Sequence, residues 1–153
     1  MNLLENNLAL LRERIAQCCA EAKRDPQTVE LLAVTKVQPL EKLQALYELG
    51  LRSFGENRVQ EMNDKAKVLP QDIEWHLIGP LQSNKVRQAL QSAAVIHSVD
   101  SLKLLKRIDD IAGQEGKRIK IYLQVNLSEE EQKSGFSNAE LAQAVQTAVS
   151  YNN

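Results

Sequence analysis

A lysine closes the apolar run Leu31-Leu32-Ala33-Val34-Thr35-Lys36, and Gln38-Pro39 follow almost at once. A short apolar run with Val and Thr, stopped by a proline, reads as a strand over about 30–36 that is buried on both faces. Lys36 then stands at the C-terminal end of an interior strand, where parallel α/β folds hold their ligands. A primary amine partly stripped of water at that position loses its preference for the charged form and becomes an imine-forming nucleophile. A lysine that simply leaves the strand for solvent is the other reading of the same residue.

Polar residues gather at the same end of the other candidate strands. Glu56 and Asn57 follow one, and His76 lies within another that leads to Gln82, Ser83, Asn84 and Lys85. Ser98 and Asp100 follow a third, Gln124 and Asn126 a fourth. Amides, a histidine and an amine on one rim describe a small-molecule site. Each has a plainer reading: Asn57 and Asp100 as helix caps, His76 as a hydrogen-bonded core histidine, Asn126 as a turn former. The sequence carries no Ser-His-Asp spacing, Walker loop, dinucleotide fingerprint or His/Cys metal cluster, and no carboxylate pair that stands out for glycoside hydrolysis. Lys36 is left as the most reactive group on the rim.

The elements that must position these residues alternate regularly. Residues 2–24 read as an amphipathic helix with Leu4, Leu8, Leu11, Ile15, Cys18 and Ala22 on one face, ended by Asp25-Pro26. The spacing then predicts strands over 30–36, 52–54, 74–78, 95–99 and 118–126. Helices are predicted over 39–49, 57–67, 83–92, 101–113 and 137–150. Asp100-Ser101 can cap the fourth of these helices. Short, regular βα units indicate a parallel sheet with right-handed crossovers. Five strands suffice for a doubly wound sheet, whereas a (β/α)8 barrel needs eight.

With 153 residues the chain is long enough for one domain, 1–153, with a real core. A net charge of −1 argues against a general nucleic-acid or anionic-membrane surface. No apolar stretch approaches a membrane span, and the N-terminus lacks a signal-peptide pattern. Cys18 and Cys19 are adjacent, which suits neither a loop-closing disulfide nor a metal site; Cys18 reads as packing, and the location as cytoplasmic. The polar run 128–135 reads as an exposed, solvated loop.

Five segments in order carry a resemblance: Leu31–Lys36; Phe54-Gly55-Glu56-Asn57-Arg58-Val59-Gln60-Glu61; Trp75-His76-Leu77-Ile78-Gly79-Pro80-Leu81-Gln82-Ser83-Asn84-Lys85; Ile96-His97-Ser98-Val99-Asp100-Ser101; and Gln124-Val125-Asn126-Leu127 with Lys133-Ser134-Gly135. Together they resemble the pyridoxal phosphate homeostasis protein family. The resemblance implies a fold similar to the N-terminal barrel of alanine racemase, a parallel (β/α)8 TIM-barrel type, incomplete here with about five βα units after an N-terminal helix. It implies pyridoxal 5'-phosphate (PLP) held as an internal aldimine on Lys36, with Asn57 and His76 at positions close to the cofactor. It also implies a cofactor carrier in PLP homeostasis without clear turnover, since no second domain brings an opposing base. The family's later Ser- and Gly-rich and Arg-Ile-Gly segments, which the resemblance implies hold the phosphate, are not among these residues. A racemase-like enzyme, a Schiff-base aldolase using Lys36 directly, and an interaction module without a ligand are the alternatives. A monomer is expected of the full-length form; the 153-residue chain is expected to be a poor PLP binder and a marginal fold that self-associates or is rescued by a separate polypeptide supplying the remaining strands.

Overall fold

The structure is a computed structural model and describes residues 3–128, 130 and 132–151. The opening helix α1 (Leu3–Glu21) leads through a short 3-10 turn, Pro26–Thr28, to β1 (Ala33–Val34). Helix α2 (Leu40–Glu48) completes this first unit, and four further units follow: β2 (Ser53–Glu56) and α3 (Val59–Ala66), β3 (Glu74–Leu77) and α4 (Val86–Ala89), β4 (Ala93–Val99) and α5 (Leu102–Gln114), and β5 (Lys120–Leu123) and α6 (Asn138–Ser150). All neighbouring strands are parallel, and they lie in chain order β1-β2-β3-β4-β5.

That order decides between the two architectures left open by the strand count. A doubly wound sheet reverses its strand order and carries helices on both faces. Here Phe54, Trp75, Leu77 and Ile96, on one face of the sheet, share one core with Leu8 of α1, Leu43 of α2, Val59 and Met62 of α3, Val86 and Ala89 of α4 and Ile108 of α5. Ala148 of α6 packs against the same core. Helices on one side of a sequentially ordered parallel sheet form the wall of a (β/α)8 barrel, and five strands make an arc of it.

The other face is concave and sparsely covered. A Cβ on Gly55 would lie 3.3 Å from Ile78 Cδ1 and 3.6 Å from Leu32 Cδ2, so these three residues share that face. His76, level with Gly55 on the adjacent strand, belongs to it, as do His97 and Tyr122 through ring contacts.

Several expected elements differ in extent. The strand expected over 30–36 pairs only at Ala33 and Val34, because β1 has a neighbour on one side alone. It is not buried on both faces: Val34 is 52% exposed on the uncovered concave side. The helix expected over 83–92 is a 3-10 turn, Ser83–Lys85, followed by the single turn of α4, since the chain enters β4 at Ala93. In α1 Leu8 is buried and Leu4 and Ile15 half-buried as expected, but Cys19 is the buried cysteine and Cys18 is exposed, so Cys18 does not pack as expected. Arg12 shares this face and donates from Nη2 to the Leu49 carbonyl at 3.1 Å. Asn2, Glu129 and Glu131, included in the expected helix and loop, lie outside the described residues.

No helix is long and apolar enough to cross a membrane, among the described residues.

Candidate functional site

Lys36 stands just beyond β1, exposed, and its side chain makes no hydrogen bond or ion pair among the described residues. Thr35, directly before it, is buried on the helix side, where its Oγ1 donates to Glu56 Oε1 at 2.6 Å. The expectation of an amine partly stripped of water is corrected by the same uncovered face that exposes Val34. Lys36 and Asn57 each follow the paired end of their strand, β1 and β2, on the C-terminal side of the sheet. Asn57 is half-buried and does not cap α3, whose N-cap is Arg58. Its carbonyl instead lies against Gly79, where any Cβ would overlap it, so the two strand ends cross at backbone distance.

His76 pairs with Gly55 and therefore sits one layer below Asn57. Lys36 and Asn57 thus lie past the C-terminal ends of two adjacent strands, with His76 inside β3 on the concave face. His76 is buried and bonds through Nδ1 to His97 Nε2 at 2.9 Å; the His97 ring in turn stacks on Tyr122 with centroids 4.7 Å apart. Its Nε2 has no hydrogen-bond partner among the described residues and faces the Glu30 and Glu74 carboxylates at 4.0 and 3.9 Å. Those carboxylates favour the tautomer with the proton on Nε2, so that His97 donates to Nδ1. Burial first, then the neighbouring His97, holds the His76 pKa below its ordinary value, while Glu74 and Glu30 oppose the shift. His97 is lowered as well, by burial.

Glu30, Glu74 and His76 also bring their ligand atoms within 4.8 Å of one another, a grouping invisible as a sequence motif. Ser53 Oγ already donates to Glu30, and Lys120 Nζ pairs with Glu74 at 3.1 Å, so the carboxylates form a hydrogen-bonded network instead of an open ligand set.

The strongest polar cluster lies on the helix side directly behind Lys36, and the sequence reading missed it. Glu56, expected on the rim, is fully buried. Lys65, also buried, donates to Glu56 Oε1 and Glu61 Oε1, each at 2.7 Å, and to the Thr35 carbonyl at 2.8 Å. Glu61 also accepts from the Val37 amide at 2.7 Å, and its pKa is lowered chiefly by the Lys65 hydrogen bond. The one local signal was the four-residue spacing of Glu61 and Lys65, which usually marks an exposed helix pair. Elsewhere Ser101, not Asp100, caps α5 through Leu104 N. Asn126 Nδ2 binds the Glu130 and Lys133 carbonyls and organises the loop after β5.

Residues 2–153 match the family model described as alanine racemase, N-terminal domain. The pyridoxal phosphate homeostasis protein of Escherichia coli (strain K12) is 37% identical over 145 residues, covering 92% of this chain and 62% of that protein. A solved protein from Bifidobacterium adolescentis superposes with a TM-score of 0.88 at 33% identity, covering 97% of this chain and 65% of that one. PipY of Synechococcus elongatus PCC7942, solved with PLP bound, matches with a TM-score of 0.69 at 41% identity over 87% of this chain and 64% of PipY. The chain therefore spans less than two thirds of these relatives. With its sequential parallel strands, one-sided helices and a lysine at the end of the first strand, it belongs to the alanine racemase N-terminal domain family.

Proposed function

We propose that this chain is the PLP-anchoring part of a pyridoxal phosphate homeostasis protein, with Lys36 as covalent anchor and no turnover of its own. The observation that carries the reading is the Lys36 side chain: an amine without an internal partner, at the C-terminal end of the first strand, in a chain 41% identical to a protein solved with PLP bound. The residues present fit the anchoring end. The concave floor next to Val34 is formed by Gly55, which has no side chain, and Asn57 follows just past the end of β2. The buried polar side-chain atoms without partners among the described residues are Glu56 Oε2, Asn63 Oδ1 and His76 Nε2, none of them a donor on the rim, so the fit is of the anchor and not of a phosphate cradle.

When bound, PLP supplies an aldehyde that condenses with a primary amine. Lys36 provides that amine, and His76, kept neutral by burial, supports the floor without adding charge. The chain reads as a single domain of a cytoplasmic protein that is monomeric when the barrel is whole. Its net charge of −1 speaks against a nucleic-acid partner. Borohydride reduction after PLP addition, followed by peptide mass mapping, tests the anchor. The adduct is expected on Lys36 and lost in Lys36→Ala with the fold retained; an adduct mainly on Lys85 or Lys133 would overturn the assignment.

A further inference from the structure

We infer that Glu61, supported by Lys65, is a positioning residue for Lys36, which deepens the PLP-anchoring reading and rests on it. The peptide groups on both sides of Lys36 are tied to the same buried ion cluster. Before it, the Thr35 carbonyl accepts from Lys65 Nζ at 2.8 Å and the Thr35 hydroxyl donates to Glu56 at 2.6 Å. After it, the Val37 amide donates to Glu61 Oε1 at 2.7 Å. Lys65 joins the two sides by binding both carboxylates. The backbone of Lys36 is therefore fixed from either end while its side chain stays free.

Val37 shows that this fixation has a cost. Its φ is +61°, the left-handed region that a β-branched residue strongly disfavours. A strained residue is usually repaid by its own burial, yet Val37 is 86% exposed. The side-chain bond recorded for its amide is the one to Glu61. Strain held by a half-buried acid next to a free amine marks a local conformation kept for the amine's direction. Thr35 faces the helix layer just before the turn, and Lys36 is left exposed past the end of β1.

Two readouts test this on the 153-residue chain: hydrogen exchange at the Val37 amide without PLP, and the ratio of borohydride-trapped PLP on Lys36 to that on Lys85. Glu61→Ala is expected to speed Val37 exchange and to lower the Lys36:Lys85 ratio about tenfold, the scale of one lost charge-assisted hydrogen bond. Glu61→Gln, which keeps an acceptor at the same reach, is expected to restore both. A purely structural role for Glu61 would leave the ratio unchanged in folded Glu61→Ala; that result, or a Glu61→Gln variant as defective as the alanine, overturns the inference. Should Glu61→Ala fail to fold, Glu61→Asp, one methylene too short to reach Val37, gives the same readout with the charge retained. If the unsubstituted chain forms no Lys36 adduct, the PLP-anchoring reading fails by itself, and Val37 protection lost in the alanine but kept in the glutamine variant still identifies the clamp. An unprotected Val37 amide in the unsubstituted chain overturns the clamp directly.

Discussion

At the scale of single residues, the chain places its charges by what surrounds them. Glu56 is fully buried and its charge is met by one ammonium, that of Lys65. Lys65→Met leaves that carboxylate buried and unpaired, and is expected to cost about 3–5 kcal/mol in urea denaturation. Adding Glu56→Gln should recover part of the loss, because the buried charge is then gone; a single variant as stable as the parent would refute this account. The histidines act in another pH window. His76 and His97 have folded pKa values below their unfolded ones, chiefly because burial disfavours their charged forms. The stability they contribute is present above the unfolded value of about 6.5 and is lost as pH falls below it toward the folded values. Glu30, Glu74 and Lys120 face His76 and set how far its value is depressed. The urea midpoint is therefore expected to drop between pH 7.5 and 5.5, with a shallower slope in His76→Gln; a flat profile in the parent would contradict it.

At the scale of elements, the end of one strand is fitted against the backbone of the next. β2 runs on into Asn57 and β3 into Gly79, and the Asn57 carbonyl occupies the space where a side chain on Gly79 would start. Ser98 Oγ donates to the Gly79 carbonyl at 2.7 Å and ties β4 into the same crossing. Gly79→Ala sets a methyl group against backbone that cannot rotate away, and is expected to cost about 3 kcal/mol, the upper end for overpacking. Chemical-shift changes should centre on Asn57 and Ser98; a change below about 0.5 kcal/mol would place the variant among ordinary surface substitutions. After β5, Gly135 serves a similar end: its φ of +138° and its approach to Asn126 let Phe136 bridge Val125 in parallel.

At the scale of the whole molecule, the described arc has unpaired strand edges. β1 pairs only with β2 and β5 only with β4, with the bridge at Phe136 covering just the C-terminal end beyond β5. Unpaired edges beside exposed Val34 and Tyr122 invite pairing with further strands. The 153-residue chain is accordingly expected to self-associate with rising concentration in size-exclusion chromatography with light scattering. A monomer across a hundredfold range would show that the edges are protected. On the carrier reading, the chain with PLP is also expected to racemise alanine no faster than free PLP in a chiral assay, and turnover lost in Lys36→Ala would favour a racemase-like enzyme.

Local chemistry was enough to specify the alternation of strands and helices, because apolar periodicity and the stops at Pro39, Gly50 and Pro70 are properties of neighbouring residues. It also set Lys36 and Asn57 just past strand ends, since both placements depend only on where a strand stops. Whether five strands wind doubly or form an arc was beyond it: strand order and the side taken by each helix arise from contacts between residues far apart in sequence. The same limit hid the ion cluster behind Lys36. Glu56 follows a strand just as a rim residue would, and the Glu61 and Lys65 pair has the spacing of an exposed helix face; only packing α3 against β2 and β3 buries Glu56 and Lys65 and brings Glu61 to the Val37 amide. The pairing of His76 with His97 required the register of β3 against β4, including its shift between Trp75 and His76. Sequence determined which groups could react, and tertiary structure decided which of them are held, buried or left free, because burial and pairing depend on distance in space.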